Sequence, residues 1–309
     1  MKILKPNFWN RKNNIVSYFL FPFSCIYQLL FFLKKKLTSE LSFKIPVICI
    51  GNLYVGGTGK TPLSILIAKE LIINKKKPAI IKKYYPEHSD EHNLINAKLD
   101  SLFLHKKRAK ALEEAINRDC NFAILDDGFQ DYSIKKDLNI LCFNSEQSIG
   151  NGMIIPSGPL REKLSSIKKS EIVVINGNKN QSFENEIKNI SKTVKILYSK
   201  YIPTNIEKFK NKSLFAFAGI GNPSNFFNLL IDNQLKIKRK IEFPDHYEFK
   251  KIEIQKMLNI AEKEGLQLIT TEKDYFRIKK FQFENINFLK VKLEIEKKNE
   301  LINYILKLK

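Results

Sequence analysis

Residues 47–71 read VICIGNLYVGGTGKTPLSILIAKEL. A β-forming apolar run meets a glycine cluster, and an apolar pattern with helical spacing follows. Where a strand ends and a helix begins, unpaired N–H groups and the helix dipole favour an anion. Gly56, Gly57 and Gly59 let the backbone wrap closely around phosphate oxygens. With Thr58 they complete the run Gly56, Gly57, Thr58, Gly59, Lys60, Thr61. Lys60 can reach terminal phosphates, the Thr61 hydroxyl can ligate Mg²⁺, and Pro62 suits a first helical turn. The usual pattern, G-x-x-x-x-G-K-[ST], asks for glycine at position 54, where the chain has Tyr54. A deviant form of the loop places an extra lysine at position 55, where the chain has Val55. The intact G-G-x-G-K-T core still points to a nucleotide-phosphate site with Mg²⁺.

Working outward, strands and helices alternate. Residues 46–50, 78–82, 121–126, 138–143 and 171–175 read as strands, and 60–73 and 106–118 as helices. Short apolar runs between helices argue a parallel sheet covered on both faces. The stretch 196–210 reads as extended and polar. A new unit then begins with strand, glycine turn and helix over 213–230, a helix at 252–264, and strands at 267–271 and 286–295. The expected fold is α/β: a P-loop NTPase-like α/β/α sandwich with a second, smaller α/β unit and an N-terminal membrane-associated helix. The expected division is 1–36 for the apolar segment, 37–205 for the P-loop domain and 206–309 for the smaller domain.

The apolar segment is Ile15 to Leu33, IVSYFLFPFSCIYQLLFFL, uncharged between RKNN and KKK. A signal peptide would carry a small-residue cleavage site where Lys34 to Lys36 stand. A spanning helix needs about 20 apolar residues, and this run is interrupted by Pro22, Ser24 and Gln28. The pattern favours a helix lying in the membrane interface, anchored by lysines, Trp9, Tyr18 and Tyr27, over a span or a core helix.

The 309 residues carry 53 Lys and Arg against 32 Asp and Glu, a formal net charge of +21. Such a balance suits an anionic partner: nucleic acid, acidic lipid or a phosphorylated substrate. Only six of the basic residues are Arg (Arg11, Arg108, Arg118, Arg161, Arg239 and Arg277), and nucleic-acid readout leans on Arg. No nucleic-acid partner is expected, and a lysine-rich composition accounts for much of the excess. The four cysteines are widely spaced, with neither a disulfide framework nor a zinc pattern.

Further sites follow. NFAILDDGFQ (121–130) ends a buried strand on Asp126 and Asp127, placed to hold Mg²⁺ in a P-loop fold; the pattern does not choose between them. EHSDEHNL (87–94) gathers His88, Asp90, Glu91 and His92, as a solvated loop or a weak metal site. Arg161 follows the Ser-Gly-Pro turn of IPSGPLRE, where it can clamp a phosphate. AGIGNP (218–223), containing Asn222, and FPDHYEF (243–249), containing His246, put polar residues at element ends.

Taken together, GNLYVGGTGKTP, DDGFQ, GNGMIIPSGPLRE, AGIGNP, FPDH and TEKD resemble the tetraacyldisaccharide 4′-kinase (lipid A 4′-kinase) family, in family order and over most of the chain. The resemblance implies transfer of the ATP γ-phosphate to the 4′-hydroxyl of a lipid A disaccharide precursor, at the cytoplasmic face of the bacterial inner membrane. It implies no protein partner. It also implies two α/β/α units joined by a two-stranded linker. Asp90 would match the family's catalytic aspartate and His246 its histidine partner, acting with Lys60; Arg161 and Asn222 would contact substrate. Three positions depart from the family pattern: Lys83 for an arginine, Asp131 for a histidine and Tyr247 for a histidine. The rival classes are a P-loop ATPase acting as a membrane-associated switch, and a basic nucleic-acid-binding protein.

Overall fold

A computed structural model describes residues 6–86, 89–245 and 247–308. The chain forms two compact units. The first takes Lys5–Tyr84, Leu99–Lys200 and Glu294–Lys309; the second takes Tyr85–Lys98 and Tyr201–Leu293. The sequence-order boundary near 205 therefore misses two exchanges. Residues 85–98 go with the later unit, and the last residues return to the earlier one.

The first unit is organised by an eight-stranded sheet ordered β12-β7-β6-β5-β1-β4-β2-β3. Its strands are β1 (Val47–Gly51), β2 (Pro78–Lys83), β3 (Leu102–His105), β4 (Phe122–Asp126), β5 (Leu138–Asn144), β6 (Ile172–Asn176), β7 (Lys195–Pro203) and β12 (Val291–Ile295). Every pairing from β3 through to β7 is parallel. Strands β1, β4 and β6 are buried along their whole length, as central parallel strands must be. Chain order reverses at β1, whose neighbours are β4 and β5. Ligands of open α/β sheets bind outside the strand C-termini at such a switch point.

Helix α2 (Lys60–Ile73) packs on this sheet with Leu63, Ile67, Ala68 and Leu71 buried. It stops at Asn74, where the next residue, Lys75, turns left-handed. Helix α4 (Arg108–Asn117) buries Ala111, Leu112 and Ala115, and α5 (Gln181–Ile190) buries Phe183 and Ile187. The last helix, α9 (Lys298–Leu306), buries Leu301, Ile302 and Ile305, and its Lys298 pairs with Glu70 of α2 at 2.6 Å.

Helix α1 (Ile15–Leu37) also belongs here, and its burial is inverted. Asn14 caps it, its side chain accepting from Val16 N–H at 2.9 Å, and Lys34 to Lys36 complement the dipole in the last turn. Its two buried residues are Ser17 and Ser24. Ser24 Oγ lies 2.8 Å from Ile154 O and 2.7 Å from Ser157 Oγ, and accepts from Ser157 N–H at 3.2 Å. Asn151 Nδ2 donates to Ser17 Oγ at 3.0 Å, and Trp9 Nε1 donates to Pro156 O at 3.0 Å. Phe19, Phe23, Ile26, Leu29, Leu30 and Phe32 are instead more than half exposed. Among the described residues, α1 is the one helix long and apolar enough to cross a membrane.

The second unit holds a four-stranded parallel sheet ordered β11-β10-β8-β9. Its strands are β8 (Ser213–Ala218), β9 (Lys236–Glu242), β10 (Gln267–Thr271) and β11 (Ile286–Leu289). Its helices are α3 (Ser89–Asn96), α6 (Pro223–Asp232), α7 (Lys251–Lys263) and α8 (Glu272–Ile278). Phe226, Phe227 and Leu230 of α6 cluster with Leu214, Ala216 and Ile269, while Ile254, Met257 and Ala261 of α7 cluster with Phe215, Phe217 and Leu268. The single strand expected over 286–295 is two, β11 and β12, in different sheets. The break falls at Lys290, whose N–H donates to Asn205 Oδ1 at 2.8 Å and whose carbonyl accepts from Thr204 N–H at 2.9 Å.

Candidate functional site

The loop after β1 explains its own departure from pattern. Its left-handed residues are Gly56 (φ 123°) and Gly59 (φ 92°), both glycines. Tyr54 needs no such freedom. It forms an antiparallel bridge with Leu160, and its ring is 1% exposed in the core with Leu53, Phe129 and Leu160. The loop is strapped to the 153–161 turn: Val55 N–H donates to Pro159 O at 2.9 Å, and Arg161 N–H to Leu53 O at 2.7 Å. From inside, fully buried Asn52 donates to Tyr54 O at 2.5 Å, Gly56 O at 3.2 Å and Thr58 Oγ1 at 3.0 Å. These bonds brace the loop from both sides, and α2 starts at Lys60 with Gly59 as its N-cap.

Two adjacent carboxylates at the end of β4 divide their work. Thr61 Oγ1 donates to Asp126 Oδ2 at 2.9 Å, and Lys82 Nζ donates to the same oxygen at 2.7 Å. Asp126 is fully buried, and its Oδ1 has no hydrogen-bond partner among the described residues. Asp127 turns away with φ 59° and binds cations: Arg161 NH1 at 2.9 Å and Lys60 Nζ at 3.6 Å from Oδ1. Burial alone would push the Asp127 carboxyl up; Lys60, Arg161, Lys82 and Arg108 override it and hold it well below the usual carboxylate range. Arg108 donates to Asp127 O at 2.8 Å and to Asp131 Oδ2 at 3.1 Å.

Four cations thus face Asp126, Asp127 and Asp131, one positive charge in excess, beside a helix N-terminus. Such an arrangement suits a polyphosphate. The residues also fit a hard divalent cation: the orphaned Asp126 Oδ1 and the Thr61 hydroxyl are oxygen donors at one place.

Sequence reasoning missed Lys82, Asn52, Arg108, Gln130 and Glu162. Of the two lysines ending β2, Lys82 faces the carboxylates. The signal was a charged residue inside a strand buried along five of its six positions. Gln130 Nε2 links Asn52 O at 3.0 Å to Glu162 Oε1 at 3.1 Å, and its Oε1 accepts from Arg161 at 3.3 Å.

The remaining expected residues belong to the second unit. Asp90 is buried in the first turn of α3, where Arg277 Nε donates to its Oδ2 at 2.9 Å and Lys273 Nζ lies 3.6 Å away. Arg277 also pairs with Asp274 at 2.6 Å, and Gly219 N–H donates to Asp274 Oδ2 at 2.9 Å. Burial would lower the Lys273 ammonium; Glu91, Asp245 and Asp90 outweigh it and raise it. Residues 89–96 are helix, not the loop considered above. Asn222 stands at the N-cap of α6 and donates to Asn225 Oδ1 at 3.0 Å. It shares no unit with Arg161. His246 and His88 lie outside the described residues. At the departed positions, Asp131 takes Arg108, and Tyr247 donates to Glu253 Oε1 at 2.8 Å.

The family model described as tetraacyldisaccharide-1-P 4′-kinase matches residues 16–308. A tetraacyldisaccharide 4′-kinase of Pelagibacter ubique is 43% identical over 312 residues, covering 100% of this chain and 99% of the relative. One from Rickettsia canadensis is 33% identical, covering 99% and 98%. Among solved structures, LpxK from Aquifex aeolicus, crystallised in complex with ATP, superposes with a TM-score of 0.73 at 24% identity, covering 95% of this chain and 99% of that one. That likeness bears on the fold.

Proposed function

The chain belongs to the tetraacyldisaccharide-1-P 4′-kinase family, and from that membership we infer that it transfers the γ-phosphate of ATP to the 4′-hydroxyl of a tetraacyldisaccharide 1-phosphate, a lipid A precursor. The observation that carries this is the phosphate loop at the switch point of the sheet, backed by Asp126 and Thr61, inside a match that runs from α1 to α9.

Phosphoryl transfer asks for positioning and charge neutralisation more than for covalent chemistry. Backbone N–H groups of residues 56–61 receive the β- and γ-phosphates at the start of α2, and Lys60 bonds the γ-phosphate. Asp127 keeps Lys60 and Arg161 together, so both cations meet the charge that spreads over the transferring group. Thr61 and Asp126 would hold Mg²⁺, which would neutralise phosphate charge. Lys82 already neutralises Asp126. For the proton leaving the 4′-hydroxyl we assign Asp90, with Arg277 and Lys273 fixing its carboxylate. His246 is the proposed partner of Asp90.

Helix α1 suits the interface of the inner membrane on its cytoplasmic side. To span the bilayer it would have to leave the 151–157 turn, stripping Ser17, Ser24, Asn151 and Ser157 of their hydrogen bonds. Each buried polar group left unpaired costs about 1–3 kcal/mol.

The test is transfer from labelled ATP to detergent-dispersed tetraacyldisaccharide 1-phosphate, with and without Mg²⁺. Mg²⁺-dependent 4′-phosphorylated product is expected; ATP hydrolysis indifferent to the acceptor would favour the membrane-associated ATPase instead. In the same assay Asp90→Ala should lose kcat by ~10²-fold or more while ATP binding persists. Unchanged turnover would remove Asp90 from the base role.

A further inference from the structure

Three lysines from three separate segments gather on one ring. Lys35 in the last turn of α1 has its Nζ 4.9 Å from the Tyr132 ring centroid, and Lys136 and Lys169 each lie 5.5 Å from it. The latter two also lie 5.9 and 6.0 Å from the Phe129 centroid. Among the described residues, one carboxylate pairs with this cluster. Glu162 is 5% exposed, and its oxygens are already taken by Gln130 at 3.1 Å, Tyr132 at 3.0 Å, Ser166 at 2.9 Å and Lys169 at 3.1 Å. Neighbouring Asp131 is committed to Arg108 and Ser133. Lys136 donates to Phe129 O at 3.1 Å.

Three positive charges therefore face one negative charge around a shared aromatic floor. The rings attract each cation but carry no net charge to offset the repulsion between them. In a chain this rich in lysine, the bland account is a solvated basic face. Lysines on such a face point away from one another; these converge. The cluster also lies at the end of α1, whose Leu30 and Leu33 are exposed at 62% and 44%. A lipid with chains along α1 would place its headgroup here. Glu162 follows Arg161 in sequence, and Gln130 bonds both, so one bonded network joins the cluster to the phosphate loop.

We propose that Lys35, Lys136 and Lys169, over Tyr132 and Phe129, form a binding subsite for the phosphate of a lipid headgroup. Its first candidate, resting on the lipid-kinase reading, is the 1-phosphate of the acceptor, at the far end of the disaccharide from the reacting hydroxyl. The phosphate of an anionic bilayer lipid has the same chemistry.

The experiment compares the full-length protein with Lys35→Gln/Lys136→Gln and with Lys35→Arg/Lys136→Arg. Transfer is measured in neutral detergent to tetraacyldisaccharide 1-phosphate and to the same disaccharide without its 1-phosphate. Co-sedimentation is measured with phosphatidylcholine vesicles, with and without phosphatidylglycerol. The wild type should show a KM about tenfold or more lower for the 1-phosphate acceptor, the worth of a charge-assisted contact. The Gln variant should erase that difference without changing the KM for ATP, and the Arg variant should keep it. If acceptor discrimination survives in the Gln variant while phosphatidylglycerol binding is lost, the subsite serves the bilayer lipid. If both survive, or if Arg fails as Gln does, the proposal is overturned. A wild type that phosphorylates neither acceptor would sink the kinase reading, and the vesicle measurement would then judge the subsite alone.

Discussion

Helices α1 and α2 are both apolar, and they use that character in opposite ways. In α2 Leu63, Ile65, Ile67 and Leu71 are inside and its N-terminus opens onto the phosphate loop. In α1 the serines are inside, and Phe19, Phe23, Leu29, Leu30 and Phe32 face out. Composition does not separate them; what each packs against does. The side of α2 meets buried strands with no backbone group left to satisfy. The inner side of α1 meets the 151–157 turn, whose Ile154 carbonyl accepts from Ser24 and whose Asn151 amide donates to Ser17. A buried polar group must be paired, so the polar side of α1 turns inward and its apolar side is left for something other than water.

The contrast can be broken in order of effect. Ile67→Asp, on the inner side of α2, should cost about 4 kcal/mol or more and abolish the urea transition seen by circular dichroism. A folded variant would mean that α2 tolerates what only α1 is expected to tolerate. Next comes acid. Asp127, beside the start of α2, titrates below its ordinary value in the folded state. Its contribution is therefore complete above the free aspartate pKa near about 4 and is lost as pH falls through the depressed folded value. Urea midpoints from neutral pH downward should fall more shallowly for Asp127→Asn, by at most one proton, about 1.4 kcal/mol per pH unit. Identical acid limbs would show that Asp127 is not held ionised. Ser24→Ala, on the inner side of α1, should cost about 1 kcal/mol and leave vesicle binding intact. Leu30→Ser, on the outer side, should change stability by no more than about 0.5 kcal/mol yet weaken vesicle binding. A stability loss there would place Leu30 in the core.

Much of this was legible where one force acts alone. Residues 60–73 were read as helix at the bounds the structure gives, and the central strands to within a residue or two, because doubly covered strands must be continuously apolar. The glycine loop was legible because positive φ selects glycine at 56 and 59. What escaped answers to several demands at once. Strand β9, KIKRKIE, is an edge strand kept charged along an open side, so it carries no apolar alternation. Helix α3 opens on Asp90 and Glu91, which ion pairs to α8 stabilise in place of an apolar stripe. Lys82 reads as a solvated strand end until Asp126 is seen opposite it, 44 residues away in sequence. Asn52 looks like a turn residue and is a buried brace.

The return of the chain to its first sheet has a consequence for synthesis. Strand β12 and helix α9, which complete the first unit, come from the last stretch of the chain, after residues 201–290. At roughly 5–20 residues per second of translation, the eight-stranded sheet waits on the order of 5–20 s on the ribosome with one edge unfinished. The second unit, drawing mainly on an unbroken run, can be finished first. An N-terminal domain that matures after the one that follows it reverses the usual order of folding during translation.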